Sequence, residues 1–165
     1  MPDILPSSEW PARIAPGTVI FVRHGQKAGG GFSADLTEKG RRDATEVGRA
    51  LSDKVDFFIA SPSPRTVSTA ECIREGNGSD ARILQEEQLA EPGLGLYTEF
   101  RPAMKSFMTR ILEIVEVNRA QITVAVTHNF VVDYVAAVFG GSGESDLLCG
   151  LIVDVGLIRA AVEQL

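Results

Sequence analysis

The chain has 165 residues, 44% hydrophobic and 23% charged, with 22 acidic against 16 basic side chains and a net charge of −6. That length suits one domain, able to bury roughly two-thirds of its unfolded surface. The acid excess argues against the broad basic face that nucleic acid requires. No apolar run reaches the roughly 20 residues of a membrane span, and the opening MPDILPSSEWPARIAPG lacks the basic end and apolar stretch of a secretion signal. The expectation is a cytoplasmic enzyme or binding domain with no membrane and no nucleic-acid partner. Cys72 and Cys149 lack CxxC spacing and, with only two histidines in the chain, form no metal-ligand pattern. They read as two unpaired buried thiols.

In chain order, residues 1–17 hold four of the eight prolines (Pro2, Pro6, Pro11, Pro16) and read as an irregular lead-in to a single domain over 18–165. The β-branched and aromatic run at about 18–23 is the first strand of that domain. SADLTEKGRRDATEVGRALSDK follows with Leu36, Ala44, Val47 and Leu51 at near-helical spacing and Thr37 or Asp35 as the cap. VDFFIASP is a second apolar strand, and SPRTVSTAECIREG a helix closed by Gly76. RILQEEQLAE carries a third strand into the glycine-rich EPGLGLYTEF. RPAMKSFMTRILEIVEVNRA sets Met104, Phe107, Ile111, Ile114 and Val115 on one helical side. ITVAVTH is a buried strand, NFVVDYVAAVFGG an apolar helix stopped by Gly140 and Gly141, and LLCGLIVDVGLIRAAVEQL two final strands turning near Gly156. Strands that alternate with helices predict an α/β domain on a mostly parallel sheet.

Ligands of such sheets gather at the carboxyl ends of the strands. Both histidines stand there: the first strand ends at Arg23-His24, the second leads into SPSPR with Arg65, and ITVAVTH ends at His128. Two arginines beside two histidines suit a dianion, because guanidinium groups grip phosphate oxygens in pairs and stay charged at any working pH. Positive neighbours also favour neutral histidine, leaving a ring nitrogen free to act as a nucleophile.

VRHG, LTEKGRRDATEVG, ASPSPRTVSTA and VAVTHNF, in that order over about residues 18–140, resemble the histidine phosphatase superfamily, the phosphoglycerate-mutase-like group with its Arg-His-Gly motif. The resemblance implies a three-layer α/β/α sandwich, no cofactor, no metal, and a phosphohistidine intermediate on His24. It implies phosphate binding by Arg23, Arg65 and His128, and a general acid after the third strand of the domain. LAEPGLG places Glu91 there, with Glu86, Glu87 and Glu99 as competitors. The implied substrate is a phosphorylated small molecule or a phosphoprotein.

The chain departs from the family pattern in three places. Gln26 and Lys27 follow the motif where an acid is common. Ala28 and Gly29 to Gly31 supply no further phosphate ligand, and Asn129-Phe130 follows the second histidine in place of small residues. The bulk of Phe130 is expected to shape the pocket. Only about 25 residues separate Arg65 from Glu91 and about 36 separate Glu91 from His128, which leaves little or no cap insertion. Without a cap the intermediate is open to water, which favours hydrolysis. The alternatives are a phosphate-binding module without turnover, and the same pocket turned to acid–base chemistry such as dehydration or elimination.

Overall fold

A computed structural model describes residues 1–90 and 100–165. Six strands form one sheet: β1 (Ile4–Pro6), β2 (Thr18–Arg23), β3 (Phe57–Ala60), β4 (Ile83–Gln85), β5 (Ile122–Thr127) and β6 (Cys149–Asp154), in the spatial order β1-β6-β2-β5-β3-β4. β2, β5, β3 and β4 run parallel, and β6 is antiparallel to both β1 and β2. Five helices cover the sheet: α1 (Glu38–Ala50), α2 (Pro64–Asn77), α3 (Phe100–Asn118), α4 (Asn129–Val138) and α5 (Val155–Gln164).

Alternation along the strands builds the three layers. Ile20, Val22, Phe58, Ala60 and Val124 share one core with Ala44 and Val47 of α1 and Ala70 and Ile73 of α2. Val19, Phe21, Ile59, Ala125 and Leu151 share the other with Met104 and Phe107 of α3, Val131 and Val135 of α4, and Ile158 of α5. A strand that feeds both cores is buried on both faces, which is why β2 and β5 are apolar over most of their length, with Thr123 buried within β5. Among the described residues no helix is long and apolar enough to cross a membrane. Both cysteines are free; Cys72 is buried, whereas Cys149 is partly exposed rather than buried as expected.

Four local expectations are corrected. Residues 1–17 are not wholly irregular: Ile4–Pro6 pairs with β6, and Ser7–Ala12 forms a 3-10 helix. The cause is Trp10, fully buried with its indole Nε1 donating to the Leu5 carbonyl at 3.1 Å. Gly150 makes room for that ring, since a Cβ there would lie 2.9 Å from Trp10 Cζ2. The final segment is a strand and a helix, not two strands; Asp154 caps α5 by accepting from Gly156 N at 2.7 Å, and Ile158 and Ala161 bury one side. α2 ends at Gly78 in the left-handed region (φ +65°), not at Gly76. Thr37, not Asp35, caps α1, accepting from Gly40 N at 2.9 Å; Asp35 pairs instead with Arg41 at 2.8 Å.

Gly76 and Gly48 lie inside their helices for another reason, because α1 and α2 pack backbone to backbone there. A Cβ on Gly48 would fall 2.1 Å from the Ile73 carbonyl oxygen, and one on Gly76 would fall 1.9 Å from that of Thr45. The contact fixes where α2, and so Arg65 in its first turn, stands over the sheet. Gly48→Ala, which raises intrinsic helix propensity, should nevertheless destabilise the fold by about 1–3 kcal/mol through overpacking. Denaturant unfolding checks this, and an unchanged midpoint refutes the packing account.

Candidate active site

Strand register brings the site together. Arg23 lies opposite Thr127, and Ala60 lies opposite Val126, so β2, β5 and β3 end almost level. His24 N then donates to the Thr127 carbonyl at 3.0 Å, and Ser61 N to that of Val126, also at 3.0 Å. The residues immediately beyond the three strands, His24, Ser61 and His128, therefore meet at one rim. Arg65 arrives from the first turn of α2. His24, Arg65 and His128 are only 5%, 5% and 3% exposed.

Hydrogen bonds assign the ring protons. His24 Nδ1 lies 2.7 Å from the Gly25 carbonyl oxygen, which can only accept, so Nδ1 carries the hydrogen. Nε2 keeps its lone pair and accepts from Arg65 Nε at 3.2 Å. On the other side Arg65 Nη2 donates toward His128 Nδ1 at 3.4 Å. That leaves the His128 proton on Nε2, which meets Ser61 Oγ at 3.0 Å. The two rings stand edge to face with centroids 5.5 Å apart. Their electrostatics agree with neutral imidazoles. Burial, opposed by the Gly25 carbonyl and assisted by the Arg65, Arg23 and Lys27 charges, brings His24 down to about 4. Burial, then Arg65 and His24, bring His128 down to about 3.

The turn after β2 is held by close backbone packing. Gly25 N donates to Thr69 Oγ1 at 3.0 Å. A Cβ on Gly40 would lie 2.4 Å from the Gln26 carbonyl oxygen, so the start of α1 presses directly against the motif. Gln26, unusual after such a motif, has a local use: its Oε1 accepts from the capping Thr37 hydroxyl at 2.8 Å. The glycine segment closes back on itself through a bridge between Lys27 and Leu36. Its tip passes over Arg65, whose Nη1 approaches the Gly31 and Phe32 carbonyls at 3.5 and 3.4 Å.

Arg23 donates from Nη1 to the Ser145 carbonyl at 2.9 Å, while its Nε is buried without a partner. An unpaired buried donor costs free energy unless a ligand supplies the acceptor. Among the described residues neither Arg23 nor Arg65 forms an ion pair. Neither α2 nor α4 has a side-chain hydrogen bond capping its start, and both begin at this rim, where the helix dipole adds positive potential. The arrangement suits an anion beside a neutral imidazole whose Nε2 lone pair faces Arg65.

A cavity of about 320 Å³ adjoins His128, and one of about 190 Å³ adjoins Arg65 and Lys27. A larger cavity, about 580 Å³, lies at the opposite end of the sheet beside Thr18 and Asp154, remote from both histidines. Convergence of donors, not size, marks the site. Phe130 does not shape it as expected: the ring is 52% exposed and lines neither site cavity. Glu91 and Glu99 fall outside the described residues. Glu86 is buried and paired with Arg110 at 3.0 Å, whereas Glu87 lines the cavity beside His128. Sequence reasoning missed Ser61, Thr69 and the Gly25 carbonyl, although all three lie within or beside the motifs that were singled out.

The family profile of the histidine phosphatase superfamily (branch 1) matches residues 19–107, more than half the chain. The chain belongs to that superfamily. Solved structures of low identity share the fold of this superfamily member. The SixA protein of Nakamurella multipartitia is 20% identical, with 69% of this chain covering 60% of that one at a TM-score of 0.52. The phosphoglycerate mutase of Bacillus anthracis str. Sterne is 14% identical, with 87% covering 96% at 0.62. The alpha-ribazole phosphatase of Shigella flexneri is 16% identical, with 83% covering 90% at 0.62. The chain thus spans under two-thirds of the SixA protein and nearly all of the mutase. No curated protein matches it significantly.

The two depressed histidines predict an acid-side loss of stability. Above pH 6.5, the ordinary value, folded and unfolded histidines are both neutral and contribute nothing. As pH falls below 6.5 the unfolded chain binds protons that the fold refuses, so stability declines until pH nears the folded values of about 4 and 3. By pH 5 each histidine costs about 2 kcal/mol. His24→Gln/His128→Gln should therefore lose markedly less stability than the wild type between pH 7 and pH 5 in urea titrations. Equal losses would show that the histidines are not held neutral.

Proposed function

We propose that this chain is a phosphomonoesterase that works through phospho-His24 without a metal or cofactor. The observation that carries the reading is the His24 imidazole, fixed as the Nδ1–H tautomer by the Gly25 carbonyl, with Nε2 turned toward a buried arginine that has no anionic partner among the described residues. Arg65 Nε–H occupies the His24 Nε2 lone pair. A phosphoryl dianion is a far better acceptor for that guanidinium than a neutral imidazole. Substrate binding therefore draws Arg65 onto phosphoryl oxygens and frees the nucleophile in the same event.

Nε2 then bonds to phosphorus while the ester P–O bond breaks, and the departing oxygen takes a proton from Glu91. Arg23, through its unpartnered Nε, and Arg65 stabilise charge on the equatorial oxygens. His128 backs Arg65 from the opposite wall, accepting from Nη2 at Nδ1 while Ser61 holds its ring through Nε2. The Nδ1–H bond to Gly25 stabilises the positive charge that N-phosphorylation puts on the ring. Water next attacks phosphorus, giving a proton back to the Glu91 carboxylate; the P–N bond breaks, and phosphate leaves with His24 neutral again. SixA-type proteins and phosphomonoesterases such as the alpha-ribazole phosphatase sit among the structural relatives, which supports phosphoryl transfer to water. The substrate is a phosphorylated small molecule or a phosphoprotein.

Wild-type protein should release phosphate from an aryl phosphate at a rate that a chelator leaves unchanged. His24→Ala should lose activity by a factor on the order of 10³ or more. Quenched wild type should carry acid-labile, base-stable phosphate that the variant lacks. An active His24→Ala protein, or a rate abolished by chelator and restored by a divalent ion, refutes the mechanism.

A general acid matters most for poor leaving groups. Glu91→Gln should slow alkyl phosphates much more than nitrophenyl phosphate, and the same change at Glu86 should show no such selectivity. Equal effects on both substrate types would remove Glu91 from the mechanism.

A further inference from the structure

We infer that the cavity beside His128 is the leaving-group pocket and that it selects a neutral, ring-bearing alcohol or phenol. The inference rests on the phosphatase reading above and names its substrate class. The cavity, about 320 Å³, shares His128 with the anion site, and its walls are Phe32, Pro62, Pro64 and Ala90. Such a volume is at the lower end for small-molecule pockets and suits one or two fused rings.

Each apolar wall is held by a separate constraint. Pro62 and Pro64 flank the start of α2, where the rings fix the backbone. Ala90 follows Leu89, which is fully buried and whose carbonyl accepts from Thr127 Oγ1 at 2.6 Å. Phe32 is carried on the glycine segment and is 72% exposed, a large apolar surface left in water at the mouth of a catalytic site. Phe32 lines both site cavities, and its carbonyl faces Arg65 Nη1 at 3.4 Å. The phosphate-gripping residue and the ring wall are therefore adjacent, and a phosphoester seated on Arg65 projects its ester oxygen between Phe32 and His128.

Ser61 and Ser63 supply hydroxyls on the same wall, but Ser61 Oγ is engaged by His128 and Ser63 Oγ by Thr66 at 2.7 Å. Each hydroxyl thus has one of its hydrogen-bonding positions committed within the protein. Among the described residues Glu87 is the one acid on the lining, and its carboxylate opposes a carboxylate on the leaving group. The pocket thus disfavours phosphorylated acids of the glycerate type and favours an uncharged ring.

Phosphonates test this without turnover, because the C–P bond is not hydrolysed. Wild-type protein should bind 2-naphthylphosphonate at least about tenfold more tightly than methylphosphonate in calorimetry, the size of effect that ring contacts give in an apolar pocket. That advantage should collapse in Phe32→Ala, which removes an exposed wall, and in Ala90→Phe, which fills the cavity. A carboxylate on the naphthyl ring should reduce affinity, and Glu87→Gln should restore it. Equal affinity of wild type for the two phosphonates, or an advantage that survives both wall substitutions, overturns the inference while leaving the phosphate site standing. A protein that binds neither phosphonate nor inorganic phosphate overturns the reading on which it rests.

Discussion

Arg65 is a buried guanidinium whose partners among the described residues are all neutral: the two imidazoles, one on each side, and two carbonyl oxygens above. Removing such a charge from water is expensive, and neutral acceptors compensate it only in part. The site thus keeps a standing demand for an anion. Burial, assisted by the same charge, holds both imidazoles neutral near neutral pH. Remove the guanidinium and the histidines lose part of that electrostatic bias.

The rest of the fold is arranged to sustain that position. Level strand ends give two histidines and a serine a common rim, and the glycine contacts between α1 and α2 lower Arg65 onto it. Arg23, one residue before His24, extends toward the last turn before β6, where Ser145 takes one of its donors and leaves another buried without an acceptor among the described residues. Two cationic side chains from different elements are held with incomplete partners, in a chain whose overall charge is negative. The local field, not the global one, governs what this protein attracts.

Much of this was legible in the sequence because the features that matter are sharp transitions. An all-apolar strand that stops at Arg23-His24, and another that stops at His128, can be read without knowing how they pair. The three layers followed from the same alternation of strand and helix. What escaped has physical causes. LIVDVGLIRAAVEQL mixes β-branched residues with a helical rhythm, and only the Asp154 cap separates strand from helix. Trp10 hid among prolines, its burial dependent on a glycine 140 residues later. Gly76 resembles a helix stop but serves interhelical contact. Ser61 sat in a motif already noticed, yet its bond to His128 requires knowing that β3 and β5 are neighbours.

The tautomer of His24 is set by a peptide carbonyl rather than by a carboxylate or an amide side chain. No substitution can delete that acceptor, and it does not titrate. Its vulnerability is transferred to whatever positions the peptide plane: Gly25, the Thr69 hydroxyl beneath it, and Gly40 pressing on the neighbouring residue. Gly40, a first-turn glycine of α1 that carries none of the site's side chains, should therefore tolerate substitution as poorly as the residues at the rim itself.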